Sequence, residues 1–181
     1  MTLHQDLASF IDSRSPGARG EALWGGRTHL RIVDYLSSET PPLTYITSVR
    51  CVLLRGRQIL VQRDIDSTHI LPGGRREPGE TLEETLRREV LEETGWTLTD
   101  PRILGFRLFH NLSPKLPMHP YPYPHFVQVV YFARAGYWSL ERKLDDGYEV
   151  DTTFYSVEQV RKLPLTAGER LFLDAALREG E

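Results

Sequence analysis

The amino-acid sequence predicts an α/β or α+β domain built on a mixed β-sheet. Apolar, β-branched segments lie on both sides of one amphipathic central helix, and further helical patterns close the chain. The chain has 181 residues, 40% hydrophobic and 26% charged. That is the composition of a globular domain long enough to bury a core without a disulfide or a structural metal.

From the N-terminus, Leu3, Leu7, Phe10 and Ile11 fall at helical spacing and predict a short amphipathic helix. Ser13–Gly26 is rich in Gly, Ser and Arg and is expected to be loop. Thr28–Leu36 reads as a strand, and Pro41-Pro42 breaks the chain after it. Residues 1–44 are therefore set apart as an N-terminal extension, and residues 45–181 as the main domain. Tyr45–Leu54 and Gln58–Gln62 read as two strands with Arg55-Gly56-Arg57 as the hairpin turn. His69-Ile70-Leu71 is a short strand stopped by Pro72-Gly73-Gly74. A helix starts at Thr81-Leu82-Glu83-Glu84, a capping box, and ends before Gly95, with Leu82, Leu86 and Val90 as its buried stripe. Ile103–Phe109, Phe126–Ala133 and Val150–Tyr155 are apolar strands, and Val157–Lys162 and Ala167–Leu177 are helical.

Several function classes are disfavoured. Lys and Arg total 22 against 25 Asp and Glu, a net charge of −3, which argues against a dedicated nucleic-acid or anionic-membrane binder. Cys51 is the single cysteine, so no intrachain disulfide forms and a Cys-rich zinc site is excluded. His110, His119 and His125 do not match a common zinc spacing. No basic leader precedes an apolar run, and no run reaches the ~18 residues of a membrane helix. The expected compartment is the cytoplasm. Asn111-Leu112-Ser113 matches a glycosylation acceptor by coincidence.

The chemistry concentrates in Gly73–Trp96. At 100° per residue, Glu92 and Glu93 lie about −60° and +40° from Glu89, so three carboxylates share an arc of about 100° within one turn. They repel one another, and near the helix C-terminus the dipole disfavours each by roughly 0.3–1 kcal/mol. Arg88, four residues before Glu92, offsets part of this. The arrangement makes physical sense with a hard divalent cation, Mg²⁺ or Mn²⁺, against that face. The Gly-rich turn before the helix allows close approach of a bulky anion, and Arg75 and Arg76 add positive charge there.

The spacing of Gly74, Glu80, Arg88, Glu89, Val90, Glu92, Glu93, Gly95 and Trp96 closely resembles the Nudix hydrolase signature. Seven fixed identities arise by chance roughly once in 10⁸–10⁹ starting positions. Trp96 departs from the smaller aliphatic usual at the last place, which concerns packing rather than chemistry. The resemblance implies a Nudix-type α/β/α sandwich over roughly 45–180. It also implies a metal-dependent hydrolase that cleaves the pyrophosphate bond of a nucleoside diphosphate linked to another group. Carried over by position, Glu89, Glu92 and Glu93 would bind metal, joined by the Gly74 carbonyl and by Glu80, which would brace the loop or reach metal through water. Arg88 would orient a carboxylate. The general base is open between Glu92, Glu93 and an acid from a later loop, of which Glu149 is the first candidate. Glu149 is otherwise a surface acid beside Asp145, Asp146 and Asp151. Phe154–Val160 also resembles a strand-to-helix junction of Nudix domains.

Leu112–His125 alternates Pro with Tyr121 and Tyr123, which predicts a stiff extended loop. It reads either as a substrate wall with a tyrosine stacked on a base or as packing against the domain or a partner subunit. Cys51, within an apolar strand, reads as core. Trp24 and Trp138 receive no role. Two other functions stay open: an allylic diphosphate isomerase on the same fold, for which Cys51 is a poor acid–base group, and a non-catalytic ligand sensor. The expected partner is a small nucleotide-type molecule, with no membrane and no stable nucleic-acid partner. A homodimer is in keeping with the family resemblance.

Overall fold

The computed structural model describes residues 5–65, 67–115, 121–139 and 149–181. Helix α1 (Gln5–Asp12) precedes strands β1 (Ala18–Trp24) and β2 (Thr28–Leu36). Next come β3 (Ile46–Arg55), β4 (Gln58–Asp64) and β5 (Thr68–His69), then helix α2 (Leu82–Thr94). The long strands β6 (Trp96–Asn111) and β7 (His125–Trp138) come after it, then β8 (Glu149–Ser156) and helices α3 (Val157–Val160) and α4 (Ala167–Gly180). One sheet runs in the order β1-β2-β6-β7-β3-β4-β5, with β8 paired to β4. It is mixed, because β3 and β7 run parallel while the other pairings are antiparallel.

Helices cover both faces, as the sandwich requires. Successive side chains of β3 point to opposite faces. Val49, Cys51 and Leu53 pack with Leu86 and Val90 of α2 and with Leu7 and Ile11 of α1. Val52 and Leu54 pack with Phe172, Leu173 and Ala176 of α4. Each fully buried Val, Leu or Phe among them contributes about 1.5–3 kcal/mol. Cys51 is fully buried in this core, and burial pushes its thiol pKa up. Among the described residues no helix is long and apolar enough to cross a membrane.

The expected loop between Ser13 and Gly26 contains a strand instead. Strand β1 pairs residue for residue with β2, from Ala18↔Asp34 to Trp24↔Thr28. Its residues are exposed or half-buried throughout, so the strand carries little hydrophobic alternation, and its order comes from the neighbour it pairs with. Gly25 and Gly26 close the hairpin at positive φ. Through β2, which pairs with β6, residues 18–36 extend the main sheet by two strands. At the other end, Ser156 caps α3 with a capping box to Gln159 as β8 ends.

Candidate active site on helix α2

Helix α2 is held at both ends. The Glu84 N–H donates to Thr81 Oγ1 at 3.2 Å, and the Thr81 N–H donates to Glu84 Oε2 at 2.8 Å, closing the capping box. Gly95 ends the helix in the left-handed region at φ 75°, and its N–H donates to the Leu91 carbonyl. The indole of Trp138 donates to the Thr94 carbonyl at 3.3 Å, satisfying a last-turn acceptor. No basic residue occupies that last turn, so its acids meet the negative dipole end uncompensated from within the turn. Trp96 packs edge-on to Phe154 at 5.3 Å.

The preceding turn is stitched to β3. Val49 N–H donates to the Gly74 carbonyl at 3.0 Å, and Arg76 N–H donates to the Thr47 carbonyl at 3.0 Å. Gly73 has φ 129°, and a Cβ there would lie 2.4 Å from the Val49 carbonyl oxygen. At Gly74 a Cβ would lie 2.2 Å from Glu89 Oε2. The carboxylate of Glu89 therefore rests directly against the backbone of the turn.

Arg88 joins the acids. Its Nε donates to Glu80 Oε1 at 2.6 Å and its Nη2 to Glu80 Oε2 at 3.0 Å, a two-pronged pair. Its Nη1 donates to Glu89 Oε1 at 3.0 Å and to Glu92 Oε2 at 3.2 Å. These bonds hold the Glu80 carboxyl down at about 2 and raise the Arg88 pKa. Burial dominates at Glu89 and raises its pKa despite Arg88. Glu93 Oε2 accepts the Gly73 N–H at 2.7 Å, and Glu93 Oε1 lies 3.7 Å from Arg50 Nη1. Arg50 also donates to the Gly73 carbonyl. Glu80, Glu89 and Glu92 thus meet at Arg88, and Glu93 bridges the turn and β3.

The other sequence candidates fall around this helix. Arg75 Nη2 donates to Tyr121 Oη at 3.1 Å, with the guanidinium 5.3 Å from the ring centroid. Arg75, Arg76 and Tyr121 line a shallow cavity of about 280 Å³ with Ile46, Thr47, Glu77 and Pro78. Arg76 Nε donates to the Glu80 carbonyl at 3.0 Å. Tyr121 stacks on Phe126 at 4.8 Å, and Tyr123 Oη donates to the Ser113 carbonyl at 3.1 Å, bracing its own loop. Glu149 opens β8 opposite Asp64 in the register. Pro117, His119 and Pro120 of the Pro/Tyr loop, and Asp145 and Asp146, lie outside the described residues.

A second and larger hollow, about 560 Å³, is not foreseen from the sequence. Glu93 and Arg50 stand on its wall, with Gln62, Gln128 and Arg107 from three other strands and Trp24 and Phe109 beside them. Arg107 Nε donates to buried Asp34 Oδ1 at 2.8 Å, and burial nevertheless raises the Asp34 pKa. His69 accepts the Leu71 N–H at Nδ1 (3.2 Å) and so presents its Nε2 proton to Asp64 at 3.0 Å. Burial lowers the His69 pKa. The one sequence signal is a single polar residue inside an apolar run: Gln62 after Ile59–Val61, Gln128 between Val127 and Val129, Arg107 between Phe106 and Leu108.

Comparison with known proteins agrees with the signature. The NUDIX domain family model matches residues 44–176. The chain belongs to the Nudix hydrolase family. Among curated relatives, the NAD-capped RNA hydrolase NudC of Chromobacterium violaceum is 29% identical over 61% of this chain and 38% of that protein, so the chain spans well under half of that relative. The uncharacterized Nudix hydrolase YvcI of Bacillus subtilis is 26% identical over 75% of this chain and 82% of that protein. Of solved structures, the Bacillus subtilis pyrophosphohydrolase BsRppH superposes with TM-score 0.57 at 20% identity, covering 88% of this chain and 94% of that one. A NUDIX hydrolase from Nitrosomonas europaea gives TM-score 0.56 at 19% identity, covering 75% and 91%. These two likenesses concern the fold.

The donor set of the Nudix helix fits a hard divalent cation: carboxylates and a backbone carbonyl, with no thiolate or imidazole among them. The close seat of Glu89 against Gly74, which a Cβ would fill, brings carboxylate and turn backbone together. Among the described residues no three His, Cys, Asp or Glu side chains already converge on a metal position. Glu89 and Glu92 converge on Arg88 instead.

Proposed function

We propose that this Nudix protein hydrolyses the pyrophosphate bond of a nucleoside diphosphate linked to another group, with Mg²⁺ or Mn²⁺ as cofactor. The observation that carries the reading is the gathering of Glu80, Glu89 and Glu92 around Arg88, with Glu93 fastened to the Gly73 N–H beside them. That constellation concentrates negative charge on a helix end that disfavours it, next to a turn with no side chains to obstruct a phosphate.

In this reading Glu89, Glu92, Glu93 and the Gly74 carbonyl are the metal donors, with Glu80 in support. A divalent cation held by these residues would supply charge neutralisation at the phosphates and would make a water more acidic. Arg88 fixes the direction of three carboxylates. One of Glu92, Glu93 or Glu149 takes the proton of the attacking water as its oxygen bonds to phosphorus and the bridging P–O bond breaks. The proton then passes to the departing phosphate or to solvent. Arg75 and Arg76 offer positive charge to the phosphates, and Tyr121 and Tyr123 belong to the loop that borders their cavity.

NudC is a hydrolase of NAD-capped RNA and BsRppH a pyrophosphohydrolase, which agrees with a nucleotide-type substrate for this chain as well. The isomerase alternative loses ground, because Cys51 is buried within the core. The lone buried thiol suits a reducing compartment such as the cytoplasm. The test is a screen of nucleotide sugars, dinucleoside polyphosphates, nucleoside triphosphates and prenyl diphosphates with Mg²⁺ or Mn²⁺. Products are separated from substrate by ion-exchange chromatography and identified by mass. Metal-dependent turnover of a nucleotide class, abolished by EDTA, is the expected result. No turnover of any class would overturn the proposal.

A further inference from the structure

We infer that His110, near the end of β6, and His125, at the start of β7, form a two-histidine site for a transition-metal ion of the zinc, nickel or copper class. The site shares no residue with the carboxylates of α2 and takes a different kind of cation. It stands whether or not the chain hydrolyses a pyrophosphate.

The first observation is geometric. His110 faces His125 across the antiparallel β6–β7 pair, and directly opposed residues share one face of a sheet. The two rings lie 4.5 Å apart between centroids, tilted by 37°. A metal bound about 2.0–2.1 Å from one nitrogen of each ring, with the two bonds at about 90–110°, leaves the ring centres about 4.5–5 Å apart. The strands therefore already hold the rings at a chelating separation. The two histidines are distant in sequence and meet only through strand pairing, so no local spacing reveals them.

The second observation is that packing alone does not ask for these rings. On this face the β6–β7 pairs run Phe106↔Val129, Leu108↔Val127 and then His110↔His125. The adjoining pair on the opposite face is Phe109↔Phe126, stacked at 4.7 Å. Apolar pairs thus satisfy every neighbouring place. An imidazole at His125, 5% exposed, and another at half-buried His110 carry a desolvation cost that phenyl rings would not. What imidazole adds in return is a nitrogen lone pair, the commonest protein ligand for such metals.

Charge and ligand type then select the ion. Burial, and after it Arg31, lower the His110 pKa, so its ring is neutral at pH 7 and offers a lone pair rather than a proton. Arg31 faces His110 in the register, and Glu21 Oε1, 3.8 Å from Arg31 Nε, offsets part of that positive charge. Among the described residues no three His, Cys, Asp or Glu side chains converge on a metal position, so the two imidazoles fill two places and water fills the others. An imidazole pair suits zinc, nickel or copper, whereas Mg²⁺ prefers oxygen. The Asn111 N–H donates to the Pro124 carbonyl at 2.8 Å just beyond the histidines. An ion on His110 and His125 therefore ties the two ends of the Pro/Tyr loop a second time.

The experiment is calorimetric titration of the full chain with Zn²⁺, beside electron paramagnetic resonance of the chain with one equivalent of Cu²⁺. The proteins are wild type, His110→Phe, His125→Phe, His29→Ala and Glu93→Gln, each checked by thermal melting. Phenylalanine keeps a ring at each place, and half-buried His110 decides the matter if His125→Phe does not fold. Expected is zinc binding by wild type that weakens about tenfold or more in His110→Phe and in His125→Phe. The Cu²⁺ signal of wild type should show nitrogen splitting from two imidazoles, and His110→Phe should lose it. His29→Ala and Glu93→Gln should keep both the zinc site and the nitrogen splitting. Wild-type zinc affinity in folded His110→Phe, or a wild-type Cu²⁺ signal with oxygen ligands alone, overturns the inference. So does a site lost in His29→Ala and kept in His110→Phe, which would place the ion at Glu21 and His29. The hydrolase proposal fails separately: zinc held by His110 and His125 in a chain that turns over no pyrophosphate would keep this site and discard the chemistry of α2.

Discussion

Gly74→Ala separates the site from the fold. The added Cβ would lie 2.2 Å from Glu89 Oε2 and 2.7 Å from Glu89 Oε1, where ordinary contact begins at 3.4 Å. The Glu89 carboxylate must therefore retreat by about 1.2 Å. The backbone itself is not strained, because Gly74 lies outside the positive-φ region. The obstacle is the end of a flexible side chain, so the fold loses little. Weakening the Arg88–Glu89 contact costs up to about 1 kcal/mol, and replacing glycine returns about 0.4–1 kcal/mol through the unfolded chain. The melting temperature should stay within about 4 °C of wild type. The chemistry should not be spared. A displacement of about 1 Å in a catalytic group lowers turnover on the order of 100-fold. Thermal melting and metal-dependent pyrophosphate hydrolysis on the same preparation decide the matter. A variant that melts with wild type and turns over at the wild-type rate would refute the placement of Glu89 against the turn as part of the site.

Two further outcomes concern the same neighbourhood. Gly73→Ala should damage folding itself, because its Cβ would lie 2.4 Å from a backbone oxygen at φ 129°; a loss on the order of 1–3 kcal/mol in denaturant unfolding is expected, and an unchanged midpoint would contradict it. Glu80 has a folded-state pKa of about 2 against an ordinary 4.5, owing chiefly to Arg88. A depressed carboxyl contributes stability above its unfolded value and loses it as pH falls from about 4.5 through about 2. Glu80→Gln should flatten the acid limb of the stability curve in that window, and an unaltered limb would show that the Glu80–Arg88 pair is not what acid breaks.

The parts legible in the sequence are those whose cause is local. Helix α2 is bounded by Thr81 and Gly95, residues that act on their own neighbours, and β2 matches its expected span from Thr28 to Leu36. Strand β1 is not legible because its order comes from β2, while its own residues remain half-buried or exposed. From sequence, Arg88 relates only to Glu92, four residues on; the two-pronged pair with Glu80 arises because the Gly-rich turn folds back along the helix. The hollow is the least legible. Arg107, Gln128 and Gln62 are lone polar residues on three strands, and only the sheet order brings them together with Trp24. Trp138, given no role from sequence, caps the last turn of α2 through its indole.

The central claim is that the acids of α2 do the chemistry. Its most direct test is the rate of metal-dependent pyrophosphate cleavage in Glu92→Gln and Glu93→Gln, measured beside wild type with matched melting curves. Each change keeps the size of the side chain and removes its charge. The account predicts a loss of about 100-fold or more in both, with melting temperatures within about 4 °C of wild type. Wild-type rates in both folded variants would contradict it.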